Sequence, residues 1–238
     1  MTTPASEREP GTGNPVGPKV DGTAARRPGP VVLEGRFGRV EKLDAERHGA
    51  GLWDAVRTDD RLWSYLGYGP FPDQAAFAAW LIERPRLEDP YSYAIVEKSG
   101  TAVGIATLME IRPTMRVIEV GNILYGSPLQ RTPLATEAQY LLARYVFETL
   151  GNRRYEWKCN ALNAPSRRAA ARFGFVYEGL FRSHMIIKGR NRDTTWFAML
   201  DSEWPVRRQA FELWLAPDNF DAQGLQKVSL AALDGAAG

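Results

Sequence analysis

The sequence predicts an α/β fold, with a mixed, mostly antiparallel central sheet and helices on both of its faces. Strand-like and helix-like stretches follow one another in the order strand, two helices, three strands, helix, strand, helix and two strands. The dipeptide Ser99-Gly100 is a good hairpin turn between two of these strands. The segment from MRVIEVGNILY to RRYEWKCN has the strand–helix–strand form of a crossover connection, which makes the predicted sheet a mixed one.

Composition and charge narrow the class of protein. The chain has 238 residues, of which 44% are hydrophobic, enough for one sizeable core. Its formal net charge of +2 gives no indication of nucleic acid or an anionic membrane as a partner. The single cysteine, Cys159, excludes an intrachain disulfide, and we expect no metal site. Because the sequence contains neither a signal-peptide core nor an apolar run of membrane length, we expect a cytoplasmic protein.

Three regions are predicted from the distribution of residue types. Residues 1–33 are rich in Pro, Gly, Thr and charge, and are expected to form a disordered tail. Residues 34–216 contain the periodic apolar segments and are predicted to form one domain. Residues 217–238 are predicted to form a C-terminal tail that frays toward its end.

Helix-start and helix-end signals place the helices of the domain. Asp44 and Asp73 are the expected N-caps of the first two helices. The third, LATEAQYLLARYVFETLG, carries a wide apolar face and ends at Gly151. The fourth, NAPSRRAAARFG, has Asn163 as its expected N-cap and Gly174 at its end. FVYEGLFRSHMIIKG and RDTTWFAMLD then form a closing hairpin, followed by a helix over WPVRRQAFELWL.

Four segments in this order resemble a known family. They are IEVGNILY, LATEAQYLL, NALNAPSRRAAARFGFVYEG and KGRNRDTTWFAMLDSEW, and the resemblance covers roughly residues 36–204. They resemble the GCN5-related N-acetyltransferase superfamily, and most of all its ribosomal-protein alanine N-acetyltransferases. The N-x-x-S sequence that opens a short helix ending in Gly-Phe is the most specific part. The resemblance implies transfer of the acetyl group of acetyl-coenzyme A to a primary amine, either a protein N-terminus or a small amine.

The loop before the third helix is the candidate cofactor site. A helix N-terminus presents free N–H groups and the positive end of the helix dipole, both suited to a pyrophosphate. The family's Q/R-x-x-G-x-G/A motif corresponds here to Gln130-Arg131-Thr132-Pro133-Leu134-Ala135, with Pro133 in place of the first glycine. Proline removes one N–H group and fixes φ, but it is tolerated in a first helical turn. We expect coenzyme A still to bind, with one backbone donor fewer. The expected contacts are Gln130 and the neighbouring amides of Arg131, Thr132, Leu134, Ala135 and Thr136.

The strand IEVGNILY is expected to position the thioester and to supply a base. The amine attacks only when it is unprotonated, so a carboxylate must accept its proton, directly or through water. Glu119 is the best-placed candidate, although an exposed strand glutamate without catalytic function is an equal alternative. Gly121 and Asn122 predict a bulge or splay that admits the pantetheine. Backbone N–H groups near Ile123, Leu124 and Tyr125 would then polarise the thioester carbonyl.

Asn163 and Ser166 each have two interpretations. Read from the residues alone, Asn163 caps a helix and Ser166 lies at its third position. The resemblance implies that Asn163 also contacts the pantetheine and that Ser166 donates a hydrogen bond to the departing thiolate. Among the remaining candidates, Cys159 is expected in the core and His48 on the surface.

The sequence leaves open whether the chain is catalytic and whether it forms a dimer. The Pro133 change leaves an alternative function, a non-catalytic module of the same fold that binds acyl-coenzyme A or acts as a scaffold. The sequence also allows a homodimer, formed through the closing hairpin or through the WPVRRQAFELWL helix.

Overall fold

The structure, a computed structural model, describes residues 6–236 of the chain. A short pair of strands near the N-terminus, β1 (Glu7–Arg8) and β2 (Pro15–Val16), forms a hairpin of its own. The central sheet has eight strands, and its order is β3-β4-β5-β6-β7-β8-β10-β9. These strands are β3 (Val32–Glu34), β4 (Gly38–Lys42), β5 (Tyr91–Glu97), β6 (Ala102–Arg112), β7 (Val117–Tyr125), β8 (Arg154–Asn160), β9 (Val176–Ile187) and β10 (Arg190–Leu200).

Within residues 6–236, six α-helices accompany the sheet. They are α1 (Ala45–Val56), α2 (Gln74–Leu81), α3 (Pro133–Arg144), α4 (Ala164–Arg172), α5 (Trp204–Leu215) and α6 (Leu230–Ala236). The carboxylates of Asp44 and Asp73 accept hydrogen bonds from the third residue of α1 and α2, as their sequence positions predict. Helix α3 continues as a π-helical turn to Thr149, and Gly151 follows with a φ of 76°.

The sheet is mixed because one connection crosses over. Strands β7 and β8 are joined through α3 and pair in parallel, and the other neighbouring pairs are antiparallel. This topology confirms the predicted fold class, including the position of the crossover. A parallel pair requires a long connection, and here that connection places the N-terminus of α3 beside the end of β7.

Each face of the sheet packs against its own helices. On one face, α1 and α2 cover β5 and β6 through a core that contains Leu52, Phe77 and Ile105. On the other face, α3 and α5 pack on the centre of the sheet through a larger core that contains Leu141, Trp157 and Phe211. The carboxyl ends of β7 and β8 therefore lie between the two groups of helices.

The chain outside residues 34–216 has contacts that composition does not predict. The short strand β3 pairs with β4 at the edge of the sheet, and Pro28 is buried. The backbone of Gly29 accepts a hydrogen bond from the Tyr93 hydroxyl and donates one to the Tyr145 hydroxyl. At the other end, Leu230 of α6 is buried in the larger core. Local composition misses these contacts because their partners are remote in sequence, and the domain bounds themselves stay a prediction.

His48 is not on the surface, so that expectation is wrong. Its side chain is 1% exposed. Its Nε2 lies 2.8 Å from Glu41 Oε1, and its Nδ1 accepts a hydrogen bond from the backbone N–H of Asp44. His48 is therefore buried in a polar contact between α1 and β4, where burial lowers the pKa of its imidazole.

Candidate active site

Strands β7 and β8 separate at the centre of the sheet. They pair in register from Val117 opposite Arg154 to Val120 opposite Trp157, and their pairing stops there. Beyond this point, β7 continues to Tyr125 beside β6 alone, and β8 continues beside β10. A gap therefore opens between two strands whose facing backbone groups form no ladder. An extended chain, such as a pantetheine arm, can hydrogen-bond to such groups.

A β-bulge starts the separation, as the sequence predicts. Gly121 lies opposite Thr107 and Leu124 opposite Ile105, so β7 has one residue more than β6 in this interval. The extra length is taken up at Asn122, whose φ is 48°. Gly121 leaves room for the bulge, because a Cβ atom there would lie 2.4 Å from Met109 Sδ.

The N-terminus of α3 lies at the end of this gap and has a tight cap. The Thr132 hydroxyl donates to the carbonyl of Leu129 at 2.7 Å and accepts from the N–H of Ala135 at 3.2 Å. The N–H of Thr132 itself donates to Leu129. Two of the five amides expected to face the cofactor are thus used within the loop.

Two of the expected amides remain available. Within residues 6–236, the N–H groups of Arg131 and Leu134 have no hydrogen-bond partner, whereas Thr136 is the fourth residue of α3, where the hydrogen bonds of the helix begin. Pro133 occupies the first helical position, where an N–H group would have had no partner within the helix. The proline therefore preorganises the first turn, and the loop keeps two donors at the positive end of the helix dipole.

Other predicted residues of this loop support it from within. The Gln130 amide donates to the carbonyl of Tyr125 at 3.0 Å, which ties the loop to the end of β7. The Tyr125 hydroxyl donates to the carbonyl of Ala135 and accepts from Gln139. The Thr136 hydroxyl accepts a hydrogen bond from Arg172 at 3.0 Å. The Gln130 and Thr136 side chains thus contribute to the shape of the loop.

Glu119 is buried on β7, two residues before the bulge. Its side chain lies 2.6 Å from Lys158 Nζ, and the residue is 4% exposed. Burial raises the pKa of Glu119 to about 7, although the nearby Lys158 ammonium lowers it. The structure thus differs from the alternative of an exposed strand glutamate. A carboxyl group with a pKa near neutral pH is suited to accepting a proton there.

Ser166 and Asn163 lie at the start of α4, next to the end of β8. Asn163 Oδ1 accepts from the N–H of Ser166 at 3.1 Å, so the predicted cap is confirmed. The Ser166 hydroxyl oxygen accepts a hydrogen bond from Trp157 Nε1 at 3.0 Å. That contact uses the oxygen of Ser166 as an acceptor and leaves its O–H proton free to be donated elsewhere.

Two hydrogen bonds connect the early helices to the second half of the chain across this region. The Tyr65 hydroxyl donates to the carbonyl of Leu162, just before α4. Lys188, in the β9–β10 turn, donates to the carbonyl of Trp63 at 2.9 Å. The segment after α1, α4 and the closing hairpin therefore surround the splayed strands. Aromatic residues of the early segment pack mainly on one another; this cluster contains Trp63, Tyr68, Phe71, Phe77 and Trp80.

Cys159, Asp193 and His184 have structural contacts. Cys159 is a buried free thiol that lies 3.1 Å from the Thr195 hydroxyl, as expected for a core residue. Asp193 accepts hydrogen bonds from Ser183 and Asn191 and anchors the closing hairpin. His184 lies 3.0 Å from the Thr194 hydroxyl and packs beside Trp196.

Sequence reasoning missed the charged side chains around Glu119. Arg154, Glu156 and Lys158 alternate along β8 with Tyr155 and Trp157, which are buried in the larger core. This alternation, readable in RRYEWKCN, is the signal that could have placed the charged residues together on the opposite face. Their ion-pair partners come from other strands and could not be read from spacing.

Residues 6–236 contain neither a cluster of metal-ligating side chains nor a helix that could span a membrane. Among residues 6–236, no group of three or more His, Cys, Asp or Glu side chains is placed to hold a metal ion. The helices within the same range are each too short or too polar to cross a membrane.

The central bulge, the splayed parallel pair and the helix N-terminus with free amides indicate an acyltransferase. The family model described as "Acetyltransferase (GNAT) domain" matches residues 40–176. The chain belongs to this GNAT acetyltransferase family and is an acyltransferase.

Solved structures agree with the family match. A GCN5-related N-acetyltransferase from Brucella melitensis is 45% identical, with a TM-score of 0.87, and the match covers 90% of this chain and 99% of that one. A probable GNAT-family acetyltransferase from Chromobacterium violaceum is 40% identical over 81% of this chain and 98% of that one, with a TM-score of 0.75. Comparison with curated proteins gives no match.

A ribosomal-protein acetyltransferase shares the fold. The ribosomal L7/L12 alpha-N-protein acetyltransferase RimL, solved in complex with coenzyme A, is 18% identical with a TM-score of 0.60. That match covers 71% of this chain and 98% of RimL.

Proposed function

We propose that the protein transfers the acetyl group of acetyl-coenzyme A to a primary amine by direct attack of the amine on the thioester. The observation that carries this proposal is the gap between β7 and β8, with free amides at one end and the buried Glu119 beside it. The free amides suit a pyrophosphate, and the buried carboxyl group of Glu119 suits proton removal. A scaffold module would have no need of a buried carboxyl group with a pKa of about 7 at this point.

The cofactor is proposed to lie along the gap. Its pyrophosphate accepts hydrogen bonds from the amides of Arg131 and Leu134, and the Arg131 side chain adds a positive charge. The pantetheine runs between the separated strands, with Asn163 beside it. The thioester carbonyl then lies near the backbone N–H groups of Ile123, Leu124 and Tyr125.

The chemical step needs one base and one donor. Glu119, in its ionised form, accepts the proton of the attacking amine, directly or through a water molecule. The amine nitrogen forms a bond to the thioester carbon, and the carbon–sulfur bond breaks as coenzyme A leaves. Ser166 donates a hydrogen bond to the departing thiolate. Much of the acceleration comes from holding the two reactants together.

The acceptor is a primary amine of either a protein N-terminus or a small molecule. The support for a protein N-terminus is the fold that this chain shares with RimL. At 18% identity, the similarity concerns the fold and not the substrate. We also propose that the protein acts in the cytoplasm, the compartment expected from the sequence.

A thiol-release assay tests the proposal against its alternative. The intact protein is mixed with acetyl-coenzyme A and a panel of amines and peptides, and free coenzyme A is measured with a thiol reagent. We expect amine-dependent release with at least one acceptor. Saturable coenzyme A binding without turnover on any amine, together with no effect of Ser166→Ala on binding, would instead identify the non-catalytic acyl-coenzyme-A module.

Ser166→Ala tests the assignment of the donor. We expect kcat to fall about 10- to 100-fold, because a positioned donor in a proton-transfer step contributes about this much or more. Loss of the hydroxyl also leaves Trp157 Nε1 without its partner, which costs about 1–3 kcal/mol of stability. Ser166→Thr is the matched control, since it keeps a hydroxyl group. If Ser166→Ala loses stability but keeps its kcat, Ser166 has a structural function only.

We also propose a homodimer that forms through the closing hairpin. Strand β9 is the edge of the sheet and exposes apolar side chains, namely Val176, Tyr177, Leu180, Phe181, Met185 and Ile186. Natural proteins usually cover such an edge. We expect light scattering after gel filtration to give about twice the chain mass of 26.6 kDa, and Ile186→Lys to shift the protein toward monomer. A wild-type monomer at tens of micromolar would rule out this dimer.

A further inference from the structure

One face of the second half of the sheet carries a set of paired charges. Arg112 and Arg154 both contact Glu156, and Arg154 also contacts the more exposed Glu178. In this group, two guanidinium groups balance two carboxylates. The ion pairs leave no surplus charge for a ligand, and side chains paired in this way stiffen the surface on which they lie.

The next charges along this face are not balanced. Lys158 pairs with Glu119, and its ammonium lies 4.3 Å from the centre of the Trp196 ring. Arg192, on β10, forms no ion pair with any residue from 6 to 236. Glu119 is close enough to stabilise the charged form of Arg192, but it is already held by Lys158. Arg192 therefore carries a positive charge that these pairs do not neutralise, and Glu110, a carboxylate close enough to Glu119 to raise its pKa, forms no ion pair with Arg192.

Arg192 is also held in place while its charged end is left free. Its Nε donates to the Thr194 hydroxyl at 3.2 Å, and that hydroxyl lies 3.0 Å from His184. Neither of its Nη groups has a hydrogen-bond partner in the described chain. Because the residue is partly buried, its stem has little freedom, and burial lowers the pKa of the guanidinium, which a bound anion would reverse.

We propose that Arg192 binds a carboxylate of the acceptor, so that the substrate is an amine that carries a carboxylate group a few atoms from its nitrogen. This inference rests on the proposed function, because it takes the amine to react beside Glu119. The two Nη groups of arginine form the planar fork that matches a carboxylate with two parallel hydrogen bonds. The substrate's negative charge then neutralises the positive charge of Arg192.

The neighbouring side chains fit an amino acid as the acceptor. A zwitterion would place its ammonium group toward Glu119 and its carboxylate toward Arg192. Phe181, Trp196 and His184 pack on one another beside Arg192 and offer an apolar surface to a side chain. The same carboxylate chemistry could come from a free amino acid or from the side chain of an N-terminal aspartate in a peptide, and the experiment distinguishes these sources.

The test compares matched acceptors on the intact enzyme. The first pair is L-methionine and L-methioninamide, and the second is a tripeptide amide beginning with Asp and its counterpart beginning with Asn. Each pair is assayed at a pH at which both amines are largely unprotonated. We expect kcat/KM to be at least about 10-fold higher for the carboxylate-bearing member of one pair, since a charge-assisted bidentate contact has about this effect.

Arg192 variants then connect the preference to this residue. Arg192→Gln should raise KM for carboxylate-bearing acceptors about 10- to 100-fold, should change KM for the amides by less than about 3-fold, and should leave the Kd for acetyl-coenzyme A unchanged. Arg192→Lys should recover part of the loss. Arg190→Gln, an exposed change at the start of the same strand, is the control.

The outcomes separate this inference from the proposed function. If no amine of either pair, nor of the wider panel, is acetylated, the proposed function fails. If amines are acetylated but each amide is used as well as its carboxylate, or if Arg192→Gln affects both members equally, the assignment of Arg192 is wrong. A preference confined to the first pair identifies a free amino acid, and one confined to the second identifies an acidic N-terminus.

Discussion

Replacing Glu119 by Gln should lower kcat by about 10²- to 10⁴-fold, the usual contribution of a positioned general base. The amide has nearly the same shape as the carboxylate but accepts no proton at neutral pH. The Kd for acetyl-coenzyme A should change little, since Glu119 is proposed to act on the acceptor and not to hold the cofactor. Steady-state kinetics and calorimetry on the same preparation measure the two quantities.

The pH dependence of kcat/KM is a second and independent test of Glu119 as the base. Burial raises the pKa of Glu119 to about 7, so the fraction of ionised carboxylate falls as the pH drops below about 7. The wild-type kcat/KM should therefore fall by about tenfold per pH unit on the acid side, and this limb should be missing in Glu119→Gln. Two acceptors whose amines differ in pKa separate this limb from titration of the substrate itself.

The control for Glu119 is a second glutamate on the same side of the sheet. Glu178→Gln removes a partly exposed carboxylate of β9 that contacts Arg154 but is not placed beside the gap. It should keep both kcat and the acid limb. A Glu119→Gln enzyme with wild-type kcat and an unchanged acid limb would show that another group accepts the proton.

Replacing Arg131 by Glu should weaken acetyl-coenzyme A binding about 10- to 100-fold while leaving the protein as stable as the wild type. Arg131 is exposed and lies two residues before the start of α3. A carboxylate there interacts favourably with the helix dipole, so the helix itself is not weakened. It would, however, repel the pyrophosphate and compete for the same free amides. Calorimetric titration and thermal unfolding measure affinity and stability separately.

A neutral change completes this comparison. Arg131→Gln removes the positive charge without adding a negative one, so its loss of affinity should be smaller than that of Arg131→Glu. Both residues meet the same constraint on the backbone, whose φ at this position is 61°. Equal affinities in the wild type and in Arg131→Glu would show that the pyrophosphate does not bind at this helix terminus.

Local patterns in the sequence predicted the features that depend on neighbours in the chain. The caps of α1, α2 and α4 were predicted because Asp or Asn precedes each helix by one position. The bulge was predicted because Gly121 and Asn122 interrupt a run of strand-forming residues. The gap followed from that bulge and from the family resemblance together.

Features that depend on remote partners were not predicted. His48 is buried because α1 folds back onto β4, which brings its ring against Glu41; Glu41 is only seven residues away, but the sequence does not show that this helix and strand pack on each other. The Glu119–Lys158 pair joins strands β7 and β8, which are separated by the 28 residues 126–153 that include α3. Strand β3 forms because β4 offers a free edge, and not because its own composition favours order. Composition therefore underestimated how far the ordered contacts extend.

Binding of acetyl-coenzyme A at the α3 terminus and in the gap is tested most directly by titrating the ¹⁵N-labelled wild-type protein with this cofactor. The titration is followed by amide resonances and by calorimetry. The structure predicts saturable binding, with the largest amide shifts at Arg131 and Leu134 and at the bulge around Asn122. No binding at millimolar ligand, or saturable binding whose shifts lie away from both the α3 terminus and the gap, would show that acetyl-coenzyme A does not bind at this site.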